Sequence, residues 1–436
     1  MKLKWSQYNI YVPINGSRKL FIFNTLTRGI ASIDMEQDFD VQKRPEEYGE
    51  KDSIEKLTNL GMVVNCNIDE ELLFRYFFNK WRYDKTHRGF IISLTSLCNF
   101  SCSYCYESYK DNNNRNQMMT GLNWTKLFKF LEKSVSEESV KSLSIAFFGG
   151  EPLLNYEVVL QAAQDLREFA VLGVKVDTTI ITNGSLLNKE KAKEMANYID
   201  SIQFTLDGIP SDHDLRRPYK DGRGSFKDVF KNLVNSIEFF KEVFLRISVD
   251  EDNYDRILEL ISYLKKYGLA EKIRFIGFSW IFPTQSDLES FHPMRPTIFD
   301  REKIDKIQIL QGEAIKSGFK ISKDFIDGPC MLVSPNTFAI DEELKVYKCP
   351  GFLYQKPSGY IDSLGNLIID DNFWYESVTL EPSCAYKCVY GPICLGGCRW
   401  LGANKSNNLC KKDIYDRTLK EKIKIYLNSV YMSKDS

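Results

Sequence analysis

The sequence predicts an α/β protein: a partial (β/α)6 barrel, preceded by a small strand-and-helix unit and followed by an irregular, cysteine-rich segment. Three observations predict it. Residues 88–320 alternate short β-branched runs with longer amphipathic ones, and repeated βα units imply a parallel sheet covered by helices. Six such strands are found, which suits a partial barrel better than a flat doubly wound sheet. Ten of the eleven cysteines fall in two groups, at 98–105 and 330–410, outside the regular repeats.

The elements follow in order. "YNIYVPI" and "KLFIFNT" read as strands joined at "NGSR". "EKLTNLG" is a short helix stopped by Gly61, followed by the short strand "MVV" and the helix "DEELLFRYFFNKW". Residues 1–85 thus suit a winged-helix-like module, or equally an extension packed on the main domain. From 86 to 320 the strands are "GFIISLT", "SLSIAFF", "VKVDTTIIT", "SIQFTLDG", "LRISVD" and "KIRFIGFSWIF". The helices between them are "LNWTKLFKFLEKSVSEES", "NYEVVLQAAQDLREFAV", "KEKAKEMANYI", "FKDVFKNLVNSIEFF" and "NYDRILELISYLKKYG". Chemistry in such a barrel sits at the C-terminal strand ends. The first cysteine loop, "GGEP", "TNG" and "LDG" all stand there. Residues 321–436 form a third region, irregular until the helix "DIYDRTLKEKIKIYLNSVYM".

Composition excludes several classes. With 436 residues and 43% hydrophobic content the chain can bury a sizeable core in two or three domains. Lys+Arg 58 against Asp+Glu 59 argues against a nucleic-acid partner. The N-terminus has no apolar signal-peptide core, and no run is long enough to span a membrane, so a cytoplasmic location is expected. An odd number of clustered cysteines in such a chain points to metal or redox work rather than a disulfide framework. With only His87, His213 and His292, mixed Cys/His zinc sites are hard to build.

Cys98-x3-Cys102-x2-Cys105 supplies three ligands from one loop. A structural zinc site wants four. An iron–sulfur cubane held by three cysteines leaves one iron open to a substrate or cofactor. A zinc knuckle or chance clustering is the alternative on spacing alone.

This loop, with Tyr104 before its third cysteine, resembles that of the radical S-adenosylmethionine (SAM) superfamily. The resemblance covers residues 88–282. It extends to "FFGGEP" (Gly149, Gly150, Glu151), "TNGS" (Thr182, Asn183), "FTLDG" (Thr205, Asp207) and "HDLRRP", which contains Arg217. It implies a 4Fe–4S cluster on Cys98, Cys102 and Cys105. SAM contacts would come from Tyr104, Gly149, Gly150, Glu151, Asn183, Thr205, Asp207 and Arg217. SAM would chelate the open iron, accept one electron and yield a 5′-deoxyadenosyl radical that removes a hydrogen atom from substrate. Read from the residues alone, the glycines allow close backbone approach, or simply make a strand-to-helix turn. Asp207 could start a turn, and Arg217 could be a surface charge.

The second group resembles the SPASM extension of radical SAM enzymes that modify peptides. By that pattern Cys330, Cys349 and Cys398 hold auxiliary cluster I, and Cys384, Cys388, Cys394 and Cys410 hold auxiliary cluster II. The cofactors implied are SAM and three 4Fe–4S clusters. Cys66 is left over, expected as a small buried apolar residue. There are departures: Cys384-x3-Cys388 where a spacing of two is usual, and Leu344 where glycine is usual. Auxiliary cluster I, one ligand short, would have an open iron for a peptide thiolate, or be closed by Asp324, Asp327 or Asp341. The expected partners are a precursor peptide whose leader binds residues 1–85 and an electron donor of flavodoxin or ferredoxin type. A thioether crosslink is the favoured product. An anaerobic sulfatase-maturating enzyme is the alternative, against which stands Pro350 where that group has Asp directly after the cysteine. A non-catalytic electron carrier is the third reading, disfavoured because a carrier would close its cluster with four ligands.

Overall fold

Six parallel strands in chain order carry the architecture. The computed structural model describes residues 2–14, 18–34, 40, 42–105, 117–137, 139–281, 301–322, 330–379, 381, 383–397, 410 and 412–431. The chain divides into two units, one of residues 1–83, 323–333 and 380–436 and one of 84–322 and 334–379. No helix among the described residues is long and apolar enough to cross a membrane.

In the first unit, β1 (Leu3–Trp5), β2 (Asn9–Pro13), β3 (Lys19–Asn24), β4 (Ile30–Asp34) and β5 (Val63–Asn65) are joined by helices Lys51–Asn59 and Glu70–Arg82. β2, β3 and β4 form an antiparallel sheet, and β1 pairs with β5. The second helix begins where "DEELL" predicts, with the Asp69 carboxylate accepting from the Leu72 and Glu71 amides. β4 escapes sequence reading because it buries only Ile33, too little to show alternation. Cys66, expected buried, is exposed: it follows β5 and its amide donates to the Lys2 carbonyl at the sheet edge. The N-terminal strands share their cores with the C-terminal segment. Ile10, Val12, Phe21 and Phe23 pack on Tyr390, Ile393, Leu419 and Ile423. Tyr8, Phe74 and Phe78 pack on Ala385, Tyr386 and Leu395, and the Tyr8 hydroxyl donates to the Tyr386 carbonyl at 2.6 Å. Removing residues 1–83 would therefore strip a core rather than detach a module.

In the second unit, β6 (His87–Ser93), β7 (Ser142–Phe148), β8 (Lys175–Ile181), β9 (Ser201–Thr205), β10 (Glu242–Val249) and β11 (Phe275–Trp280) lie parallel in sequence order, as expected of the six barrel strands. Burial alternates strictly along β7: Leu143, Ile145 and Phe147 lie under the helices, while Ser144, Ala146 and Phe148 remain half-buried on the inner face. Residues 337–369, read as irregular, are a correction. β12 (Thr337–Ile340) pairs parallel to β6 and continues antiparallel through β13 (Lys345–Tyr347), β14 (Gly359–Ile361) and β15 (Leu367–Ile369). Strands of three or four residues carry no legible period, and their stability comes from pairing with β6, distant in sequence. In the turn after β12, Leu344 adopts φ +69, the conformation that favours glycine. Its side chain is buried, and that burial offsets the backbone cost.

Candidate functional site

The C-terminal ends of the parallel strands converge on one cavity. Cys98, Cys102, Tyr104, Cys105, Gly149, Gly150, Asn183, Thr205 and Arg217 all line it. The cysteine loop leaves β6 and is stitched to the end of β7: the Gly150 amide donates to Thr95 O at 2.9 Å and the Glu151 amide to Leu97 O at 2.8 Å. Here the glycines show their purpose. A Cβ on Gly149 would overlap the Thr95 carbonyl, and one on Gly150 the Leu97 carbonyl. Gly149 also has φ +140. The close approach they permit is first of all to the cysteine loop, and the same backbone then forms the cavity wall.

Glu151 and Asp207 do different work from the lining residues. Glu151 is fully buried; its carboxylate accepts from the Leu153 amide at 2.9 Å, the Thr182 hydroxyl at 2.7 Å and the Asn183 amide at 2.7 Å. It ties the ends of β7 and β8 together. Burial raises its pKa, against those three bonds. Asp207, also fully buried, accepts from the Ser248 amide at 2.8 Å and from the Tyr104 hydroxyl, and pairs with Arg217 Nη1 at 3.4 Å. Burial works to raise the Asp207 carboxyl, but the Arg217 charge and these bonds outweigh it and hold it below the ordinary range. Arg217 Nη1 also donates to the Tyr104 hydroxyl at 2.6 Å. Tyr104, inside the cysteine loop, is thereby locked to the ends of β9 and β10.

His213 of "HDLRRP" is structural. Its Nδ1 accepts from the Asp207 amide at 3.2 Å and its Nε2 lies 3.0 Å from Ser225 Oγ, which itself donates to the Arg217 carbonyl. This network assigns the proton to Nε2. Burial, reinforced by Arg217, pushes the imidazole down to about 3. An unfolded histidine titrates near 6.5, so below that pH the unfolded chain gains a proton that the folded chain refuses. Stability should fall with acidification between about 6.5 and about 3, by at most about 1.4 kcal/mol per pH unit. Urea midpoints across this range should show a slope that His213→Gln flattens; an unchanged slope would refute the assignment.

Three polar residues of the wall were missed: Gln203, Arg246 and Ser248. The signal was available in principle, since Gln203 and Thr205 on β9, and Arg246 and Ser248 on β10, are spaced by two and share the inner face.

The cavity fits a cluster and a bound cofactor. Among the described residues no three His, Cys, Asp or Glu side chains close around a single ion, but a cubane places its cysteines on separate irons, so wider spacing is what it requires. Among the described residues the cavity wall offers three thiols and no fourth. Burial pushes the Cys98 thiol up to about 12 and raises Cys102 as well, partly opposed by Arg217. Both must lose a proton to bind iron, a cost that coordination would meet. Among the described residues the buried Nε of Arg217 has no hydrogen-bond partner, a donor available to an anionic group.

Of the second group, Cys384 lies within the short helix Ser383–Tyr386, Cys388 two residues beyond its end, and Cys394 ends the helix Gly391–Cys394. The two helices approach so closely that a Cβ on Gly391 would overlap the Ala385 carbonyl. Cys384 and Cys410 are exposed, Cys388 and Cys394 half-buried. Cys330 belongs to the first unit and Cys349 to the second; Cys398, Asp324 and Asp327 lie outside the described residues. Asp341 is poorly placed to be a ligand. One oxygen accepts from the Glu343 and Lys345 amides at 3.0 and 2.9 Å, the other from the Tyr347 hydroxyl at 2.8 Å.

Residues 92–291 match the radical SAM superfamily. A cysteine-type anaerobic sulfatase-maturating enzyme of Clostridium novyi is 24% identical over 326 residues, covering 70% of this chain and 86% of that one. The solved structure of anSMEcpe with bound AdoMet and the Cp18Cys peptide superimposes with TM-score 0.58 at 18% identity, over 80% of this chain and 99% of that one. Streptococcus suis SuiB bound to SAM gives TM-score 0.52 at 14% identity, over 93% of this chain and 97% of that one.

Proposed function

With its radical SAM α/β fold as the premise, we propose that this enzyme modifies a ribosomally made peptide, with a thioether crosslink as the favoured product. When bound at the cavity, SAM and a 4Fe–4S cluster on Cys98, Cys102 and Cys105 supply hydrogen-atom abstraction. The chain's own residues hold the cysteine loop against Gly149 and Gly150, orient Tyr104 and Arg217, and wall the site. Forming a thioether from a thiol and a C–H bond also releases a proton and an electron. Auxiliary clusters on Cys330, Cys349 and Cys398, and on Cys384, Cys388, Cys394 and Cys410, would take that electron, and a flavodoxin- or ferredoxin-type donor would supply the one that cleaves SAM.

The observation that carries the peptide reading is a groove in the first unit. It runs beside β4 and the helix Lys51–Asn59 and is lined by Ser32, Asp34, Lys43, Ser53 and Lys56 among others. β4 ends the order β2–β3–β4, so among the described residues its outer edge is unpaired. An extended leader can add there as a strand. The match to SuiB reaches 93% of the chain against 80% for anSMEcpe, which supports an element beyond the sulfatase-maturating frame. The Clostridium novyi relative favours a second reading, oxidation of a peptide cysteine to formylglycine; Pro350 after Cys349 counts against it.

Full-length holoenzyme, SAM and short peptides encoded beside its gene should yield a product that has lost a hydrogen pair and kept its sulfur. Sulfur loss would support the second reading. Ser53 is exposed on the groove wall, and Ser53→Trp should raise the peptide KM roughly tenfold at little cost in kcat. An unchanged KM would remove the groove from the reading.

A further inference from the structure

The cavity holds two cations of different standing. Arg217 is committed to Tyr104 and Asp207. Arg246 is exposed on the inner face of β10, and its guanidinium has no hydrogen bond or ion pair among the described residues. The carboxamide of Gln203, on the neighbouring strand and in the same wall, has no partner among them either. No described lining residue is Asp or Glu. Across the sheet, Arg246 is in register with Thr205 on one side and Gly277 on the other. A Cβ on Gly277 would meet no described residue within 4 Å, so among the described residues the space beside Arg246 is open. The inner face of a β/α barrel is ordinarily filled by packed side chains; here, among the described residues, it presents an unpaired guanidinium, an unpaired amide and room.

We propose that Arg246 and Gln203 form a carboxylate-binding subsite that reads an acidic side chain of the peptide substrate beside the residue being modified. The guanidinium offers a planar fork to a carboxylate, and the carboxamide adds a directional donor. This rests on the peptide reading above and adds the chemical class the cavity selects: a Glu or Asp close to the reacting position, with Gln or Asn rejected.

The test uses anaerobically reconstituted, SAM-loaded full-length enzyme and two capped probes, N-acetylglutamate α-amide and N-acetylglutamine α-amide, with Kd read by ligand-observed NMR. The Glu probe should bind about tenfold more tightly than the Gln probe. Arg246→Gln should abolish that difference, and Arg246→Lys should keep part of it. Equal affinities in the unsubstituted enzyme, or a preference that survives Arg246→Gln, would overturn the proposal. SAM affinity is measured in the same variants; a fall in it that matches the loss of Glu binding would assign the carboxylate to SAM and overturn the subsite too. Because the probes are not peptide substrates, a clear Glu preference without any modified peptide would sink the peptide reading while leaving the subsite standing.

Discussion

Replacing Cys98, Cys102 and Cys105 together by alanine should remove one cluster, about four irons per chain, and abolish 5′-deoxyadenosine formation. The three thiols line one cavity, and no other described cysteine does. The fold should survive, because the barrel core rests on other residues, among them Phe90, Ile92, Leu143, Ile145 and Phe147. Iron content, SAM cleavage and far-UV circular dichroism on the reconstituted variant check the three parts separately. Continued 5′-deoxyadenosine formation would show that the catalytic loop has been misassigned.

Asp207→Ala should be the most damaging single change at the site that removes no metal ligand. Its carboxylate has no solvent exposure and joins the Ser248 amide, the Tyr104 hydroxyl and Arg217. Truncation leaves the buried Arg217 charge without its anion, a loss on the order of 3–5 kcal/mol. Asp207→Asn keeps an acceptor for Ser248 and should cost less. SAM affinity should fall in both variants, since Tyr104 and Arg217 lose their anchor. Urea midpoints and SAM titration decide it. Unchanged midpoints would mean that this clamp contributes nothing to stability, and unchanged SAM affinity would remove it from the site.

The sequence by itself determined the six parallel strands, their covering helices and the place of the cysteine loop. Those strands are long enough, and buried regularly enough on one face, for a period of two to show. Cys98, Cys102 and Cys105 were legible for a similar reason: local spacing alone places three thiols on one loop. Tertiary structure decided what spacing cannot carry. Glu151 and Asp207 read as ligand contacts beside Gly149 and Arg217, and the structure adds that their oxygens also accept from amides and hydroxyls distant in sequence. The partners of a buried carboxylate come from residues tens of positions away, and no local pattern names them. Strands β12 to β15 became visible only through β6, and the core that the N-terminal strands share with the C-terminal segment only in the folded chain. Arg246 was hidden for the opposite reason. An arginine inside a strand reads as a solvated charge until the sheet brings it and Gln203 into one cavity wall.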